Sequence, residues 1–206
     1  MKTLLRVLST LFIVASPWVL YWTLSRQRVG VAALTLVGWV IVRTIPVLLS
    51  AAREQRAAAL RLPAIALVFA LLGWLFRNGT FLMVLPAATQ AAFGLTFLRS
   101  LSGTPLIEHF ARMVKPELGA GELAHCRAWT RVWGVYLIAL AGLGLVLARW
   151  ASLEVWTAYV GVVSYVMVGV LFAIEYVVRK IRFRDYGRNP LDWLLSKLFP
   201  ATAGAR

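Results

Sequence analysis

The sequence predicts an all-α, polytopic membrane helix bundle with six transmembrane helices in a single integral membrane domain. Of its 206 residues, 61% are hydrophobic and only 15% are charged, whereas a soluble domain is nearer half apolar and one quarter charged. A spanning helix needs about 20 mostly apolar residues, because the hydrocarbon core is roughly 30 Å thick. Six apolar runs approach or reach that length, and Lys and Arg are distributed very unevenly between the connections.

The six predicted spans follow one another with short connections on one side and longer ones on the other. They cover residues 7–24, 29–49, 62–76, 80–98, 132–148 and 155–178. Lys2 and Arg6 precede the first run as in a signal peptide, but Ala15–Pro17 is a poor cleavage site. We therefore expect an uncleaved first spanning helix.

The positive charges predict an orientation. Of the 22 Lys and Arg residues, 18 fall on the side of the termini and of the second-to-third and fourth-to-fifth connections. Only Arg26, Arg28, Arg77 and Arg149 fall on the other side. By the positive-inside rule, we expect both termini to lie in the cytoplasm. We expect the membrane to be a bacterial inner membrane. Anionic lipids and this rule explain the net charge of +14, so no nucleic-acid partner is expected.

Tryptophans near the ends of the runs predict interfacial aromatic belts. The belt residues on the outer side are Trp18, Trp22, Trp74, Trp150 and Trp156, and those on the cytoplasmic side are Trp129 and Trp133.

The connection between the fourth and fifth spans predicts a cytoplasmic amphipathic helix. Thr104 is a candidate N-cap with Pro105 at the first helical position, and apolar residues recur at helical spacing from Leu106 to Val114. We expect this helix to lie in the membrane interface. The alternative is a docking surface for an anionic partner, whose candidate residues are Glu108, Arg112, Lys115, Arg127 and Arg131.

Candidate residues for chemistry are few. His109 and His125 are the two histidines, and with nearby glutamates they are weak acid–base candidates. Their spacing matches no metal signature, so neither a metal nor a cofactor is expected. The single Cys126 excludes an intrachain disulfide.

Glu175 is the one acidic residue well inside an apolar run, which makes it an intramembrane candidate. Arg179 follows at i+4 on the same helix face, and Arg43 lies at similar depth in the second span. This set is interpreted as a structural ion pair or as a substrate or proton path. Beyond it, the basic tail 179–206 contains a short amphipathic segment after Pro190 that favours lipid anchoring.

The C-terminal half resembles a known family over about residues 80 to 180. The resemblance rests on the stretches Pro105–Arg112, Arg127–Trp133, Ala151–Tyr159, Ser164–Tyr165 and Phe172–Arg179. They are similar to an uncharacterised family of small proteobacterial inner-membrane proteins. Its members often lie in gene clusters for aryl polyene or xanthomonadin-type pigments, beside fatty-acid-synthesis-like enzymes and acyl carrier proteins. The resemblance implies a pathway context and no catalytic residue.

Three functions stay open. The first is a non-catalytic accessory protein that assists assembly or hand-over of an acyl or polyene lipid product at the cytoplasmic face. It would contact membrane lipids and an acidic acyl carrier protein or synthase through charge complementarity. The second is a small transporter or flippase component with a polar path at Arg43 and Glu175. The third is an acyl or glycosyl transferase that uses His109 or His125. The sequence does not determine an oligomeric state.

Overall fold

The computed structural model of the chain describes residues 15, 17–50, 53–184, 186–187 and 189–199. Within these ranges, the structure does not describe the side chains of residues 39, 42–43, 45–59 and 61–62. Half of the predicted first span, 7–24, therefore lies outside the described residues, as does the predicted uncleaved N-terminus.

The described chain is all-helical and has no β-strand. We number its helices α1 to α9 in chain order. They are α1 (17–25), α2 (Val29–Ser50), α3 (Arg53–Leu75), α4 (Thr80–Ser100), α5 (Leu106–Val114), α6 (Ala120–Trp150), α7 (Leu153–Ala158), α8 (Ser164–Phe183) and α9 (Pro190–Leu198). A five-residue π-helix, Tyr159–Val163, joins α7 to α8. The helical residues between Leu153 and Phe183 therefore form one uninterrupted segment.

Three of the described helical segments are long and apolar enough to cross a membrane. They are Thr80–Ser100, Ala120–Trp150 and Leu153–Phe183. Shorter apolar stretches cover Val29–Gly38 and Pro63–Leu75. These lengths indicate a helical membrane protein, because a helix satisfies its own backbone hydrogen bonds where no water is available.

Helix boundaries extend beyond several predicted apolar runs. Helix α3 begins at Arg53, so that Pro63 lies inside the helix and does not start it. Helix α6 begins at Ala120, twelve positions before the predicted run at 132. The residues in these extensions include good helix formers such as Ala, Arg, Gln and Glu, which continue a helix past the end of its apolar stretch.

The start of α5 differs from the sequence prediction. Thr104 is not the N-cap; that position is taken by Pro105, which has an extended backbone. The first N–H groups of the helix are satisfied from outside it. Leu106 N–H donates to Ser100 Oγ at 2.9 Å, and Ile107 N–H donates to Thr130 Oγ1 at 3.3 Å. These tertiary acceptors replace a local cap.

Two tryptophans predicted for the aromatic belts are buried instead. Trp156 has no exposed surface and Trp133 is 8% exposed. Trp133 packs against Phe97 and Phe172, each with ring centroids 6.2 Å away. The belt prediction was wrong for these two residues, because a position near a helix end does not tell which face of the helix the ring occupies. Trp18, Trp22, Trp74 and Trp150 are exposed, as a belt requires.

The chain divides into two compact units. The first comprises residues 1–93 and 137–164, and the second comprises residues 94–136 and 165–206. The first unit has a core of small residues, Ala32, Ala33 and Ala70, packed around Leu82. Small side chains let α2 and α3 approach closely, which is a usual way for membrane helices to associate.

In the second unit, α6 approaches α4 closely at Gly134. A methyl group at Gly134 would lie 2.6 Å from Leu98 Cδ2 and 3.1 Å from the Gly94 carbonyl oxygen. The Leu98 side chain can move, but the backbone carbonyl of α4 cannot move without shifting the helix.

We expect Gly134→Ala to destabilise the protein by about 1–3 kcal/mol, because overpacking of a helix contact costs that much. The gain of about 1 kcal/mol in helix propensity offsets only part of this cost. Gly142→Ala is the matched control, since a methyl group there meets no neighbour within 4 Å. Reversible unfolding in detergent measures both. Equal stability of the two variants would contradict the close contact.

Candidate functional site

A cavity of about 740 Å³ lies within the second unit. Its walls come from the end of α4, from α5, from the first half of α6 and from α8 between Phe172 and Phe183. The lining residues are Phe97, Ile107, Phe110, Ala111, Val114, Lys115, Leu118, Glu122, His125, Cys126, Trp133, Phe172, Glu175, Tyr176, Arg179, Lys180, Phe183 and Asn189. The volume falls in the range of about 300–1,000 Å³ that is typical of small-molecule sites.

Most of the cavity wall is apolar. Phe97, Trp133 and Phe172 pack together on α4, α6 and α8. Helix α5 adds Ile107 and Phe110 from its apolar face. An apolar wall with a few polar groups is the usual composition of a ligand pocket.

A buried histidine and a buried glutamate form the polar part of the cavity. His125 on α6 is 2% exposed, and its Nε2 lies 3.6 Å from Glu175 Oε1 on α8. This distance is longer than a hydrogen bond. Within the described part of the chain, His125 Nε2 has no hydrogen-bond partner. The edge-on ring of Phe183, with a centroid distance of 5.3 Å, helps to hold the imidazole in place.

Glu175 also contacts Arg179, as the i+4 spacing predicted. Arg179 Nε lies 3.5 Å from Glu175 Oε1. The Arg179 side chain is 45% exposed, so its guanidinium is available at the cavity mouth. The other predicted partner of Glu175, Arg43, has its side chain outside the described residues. The described contacts of the carboxylate are therefore with His125 and Arg179.

Several docking candidates from the α4–α6 connection pair with acidic residues of the same chain. Arg112 forms a salt bridge with Glu108 at 2.8 Å, and its Nη1 donates to the Pro116 carbonyl. Lys115 Nζ donates to both carboxylate oxygens of Glu122. These pairs reduce the positive charge that the connection presents to a partner.

The remaining two docking candidates lie on α6. Arg127 Nη2 donates to the Leu101 carbonyl at 2.7 Å, which ties α6 to the end of α4. Arg131 is exposed. One of these cations therefore has a structural contact, and the other faces outward.

Thr130 was not recognised in the sequence, yet it holds one wall of the cavity. Its hydroxyl donates to the Cys126 carbonyl at 2.7 Å and accepts the Ile107 N–H at 3.3 Å. Thr130 is fully buried. This bridge fixes the start of α5 against α6, next to Cys126, whose buried thiol also lines the cavity. A threonine in an apolar helix gives no sign of such a role.

The segment after α8 folds back onto it through Asp192, which was also not predicted. The Asp192 carboxylate accepts hydrogen bonds from Tyr176 Oη, from Lys180 Nζ at 2.9 Å and from Gly187 N–H. Asn189 caps α9 by accepting the Asp192 N–H at 2.7 Å. The sequence signal was the order Asn189-Pro190, typical of a helix start, but it does not indicate what Asp192 contacts.

The two histidines have different surroundings. His109 is exposed on α5, beside Phe110, and does not line the cavity. Among the described residues, no group of three or more His, Cys, Asp or Glu side chains is placed to hold a metal ion.

Comparison with known proteins finds no matching family model, no matching curated protein and no matching solved structure.

Docking of α9 should depend on pH through Asp192. Burial raises the pKa of this carboxyl, but the hydrogen bonds from Tyr176, Lys180 and Gly187 outweigh it and hold the pKa below its ordinary value of 3.8. A lowered folded-state pKa means that the stabilisation is present above the unfolded value and is lost as pH falls through the folded value. We expect α9 to stay docked from neutral pH to about pH 4 and to detach at lower pH.

Amide hydrogen exchange of residues 186–199, corrected for the intrinsic rate, measures this docking. Asp192→Asn should give fast exchange already at pH 7, because Lys180 then loses its ionic partner. Ser196→Ala is the control, since the Ser196 hydroxyl donates to the Trp193 carbonyl of its own helix. Protection in Asp192→Asn equal to that of the wild type would exclude this role for the carboxylate.

Proposed function

We propose that this chain is a non-catalytic membrane accessory protein that holds the acyl chain of an anionic amphiphile and hands it over at the cytoplasmic face. One observation carries the proposal. A cavity of about 740 Å³ joins an apolar aromatic wall to a partly exposed arginine within one compact unit. An amphiphile has the same two parts, an apolar chain and a charged head.

The apolar wall supports the acyl-chain part of the proposal. Phe97, Trp133 and Phe172 are aromatic, and Ile107 and Val114 are branched aliphatic residues. Covering an acyl chain with these residues removes apolar surface from water, and each buried methylene contributes about 0.8 kcal/mol. No polar group is needed along this part of the ligand.

The basic side chains that line the cavity support the second part of the proposal, which is that the ligand has an anionic head group. Lys115 and Lys180 also line the cavity, but each forms a salt bridge with a carboxylate, Glu122 and Asp192 respectively. Arg179 contacts Glu175 at 3.5 Å, and its guanidinium lies 5.8 Å from the centre of the Tyr176 ring, but nearly half of its side chain is exposed. Its five N–H donors suit a carboxylate or phosphate.

The proposal includes six spans in a bacterial inner membrane, with both termini in the cytoplasm. The charge asymmetry of 18 against 4 supports this orientation. In it, the cavity residues at the start of α6 and the end of α8 lie near the cytoplasmic interface. The exposed apolar residues of α5 and α9, which include Met113, Trp193 and Leu198, then meet lipid.

A soluble partner belongs to the same proposal. The family resemblance implies an acyl carrier protein or a synthase as the partner, and acyl carriers are typically acidic. Arg127 and Arg131 are both exposed on α6, and Arg127 donates to the Leu101 carbonyl, so we place the carrier near Arg131. The salt bridges of Arg112 and Lys115 limit their part in docking.

The proposed orientation predicts opposite labelling of two similar serines. Ser25 and Ser102 are both exposed, and each hydroxyl bonds a backbone carbonyl three positions earlier. In a Cys126→Ser background, a membrane-impermeant thiol reagent applied to spheroplasts should label Ser25→Cys at once. Ser102→Cys should be labelled only after lysis. The reverse order, or simultaneous labelling, would contradict the orientation.

The proposed occupant predicts that filling the cavity abolishes binding. Ala111 lines the cavity, whereas Ala128 is exposed on α6 outside it. We expect Ala111→Trp to weaken binding of tetradecanoate at least tenfold, because the indole takes the space of the acyl chain, and Ala128→Trp to leave it unchanged. The measurement is saturable crosslinking of a photoactivatable tetradecanoate analogue in nanodiscs, competed by tetradecanoate. Equal crosslinking in both variants would show that the acid binds elsewhere.

A further inference from the structure

The cavity contains a polar pair, His125 and Glu175, that has no role in binding an acyl chain. His125 Nε2 is buried and has no hydrogen-bond partner among the described residues. A buried polar atom without a partner costs about 1–3 kcal/mol. The imidazole lines the cavity, so a ligand there is within reach of this atom.

The distance between the two groups suits one kind of ligand atom. His125 Nε2 and Glu175 Oε1 are 3.6 Å apart, too far for a direct hydrogen bond. A single oxygen atom placed beside them can hydrogen-bond to both at an ordinary length of about 2.8 Å. A hydroxyl group both donates and accepts. It can donate to the Glu175 carboxylate and accept from His125 Nε2–H.

Repulsion from the Glu175 carboxylate excludes the ligand's anionic head from the position between His125 and Glu175. A carboxylate placed beside Glu175 would bring two like charges together, which is unfavourable. Arg179 contacts the same Glu175 oxygen, at 3.5 Å from its Nε. The head therefore lies at Arg179, and the hydroxyl lies a few bonds away along the chain, between His125 and Glu175.

We infer that the amphiphile held in this cavity carries a hydroxyl group close to its anionic head, as in a 3-hydroxyacyl chain, and that His125 and Glu175 recognise it. This inference rests on the proposed function and names the class of ligand for the same cavity. His125 and Glu175 act here as specificity-determining residues.

The test compares two acids of equal chain length, tetradecanoate and 3-hydroxytetradecanoate. Each competes with the photoactivatable tetradecanoate analogue for the protein in nanodiscs, and the ratio of their half-maximal concentrations gives the preference. The hydroxy acid partitions into lipid differently, so the preference of the wild type is compared with that of variants. Lipid partitioning is the same in every sample and cancels in this comparison.

We expect the preference for the hydroxy acid to fall about tenfold in His125→Phe, since one hydrogen bond to a charged or buried group is worth about that factor. The affinity for tetradecanoate should change less than twofold, because phenylalanine keeps the ring that packs against Phe183. His109→Phe is the matched control and should keep the full preference, since His109 is exposed outside the cavity. Glu175→Gln, which keeps the size of the side chain, should also reduce the preference.

Three results would overturn the inference, and they separate it from the proposed function. If the preference is the same in the wild type, His125→Phe and Glu175→Gln while Ala111→Trp still blocks both acids, the cavity holds acyl chains and only water occupies the position between His125 and Glu175. If His109→Phe loses the preference as His125→Phe does, recognition does not reside in the cavity. If neither acid competes in the wild type, the proposed function and this inference both fail.

Discussion

Backbone hydrogen bonding in the absence of water is the constraint on which this structure depends. In hydrocarbon, each unpaired N–H or C=O group costs several kcal/mol, and a helix pairs nearly all of them within its own segment. The described chain is accordingly helical with tight turns, such as the one in which Asn78 Oδ1 accepts the Thr80 N–H. Where a helix begins without a local cap, as α5 does, side chains from α4 and α6 supply the acceptors.

The same constraint explains how the cavity keeps its shape. Ser100 on α4 and Thr130 on α6 hold the first turn of α5, so the helix that contributes Ile107 and Phe110 to the wall is fixed at its start. Asp192 ties the segment after α8 to Tyr176 and Lys180, two further lining residues. Polar contacts of a few side chains thus position apolar surfaces that have no directional preference of their own.

The buried carboxylate of the site lies beside basic side chains, because burying an unpaired charge costs free energy. Glu175 is nearly buried and has two basic neighbours, His125 and Arg179. An unpaired carboxylate in such surroundings would be strongly unfavourable. Both contacts are longer than ordinary hydrogen bonds, which leaves the carboxylate and the imidazole with capacity to bind a polar group from a ligand. The proposal of an amphiphile site uses this capacity together with the apolar wall.

The sequence by itself determined the helical membrane class, because apolar content, run length and charge asymmetry are properties of the chain that need no tertiary structure. It also located the amphipathic helix α5, the segment α9 and the contact between Glu175 and Arg179, since helical periodicity places i and i+4 on one face. Only the tertiary structure decided that His125 joins Glu175 while His109 does not. Fifty residues separate His125 from Glu175 in the chain, and their proximity depends on how α6 packs against α8. The buried positions of Trp133, Thr130 and Asp192 have the same cause, because the face of a helix that meets its neighbour is set by packing rather than by local sequence.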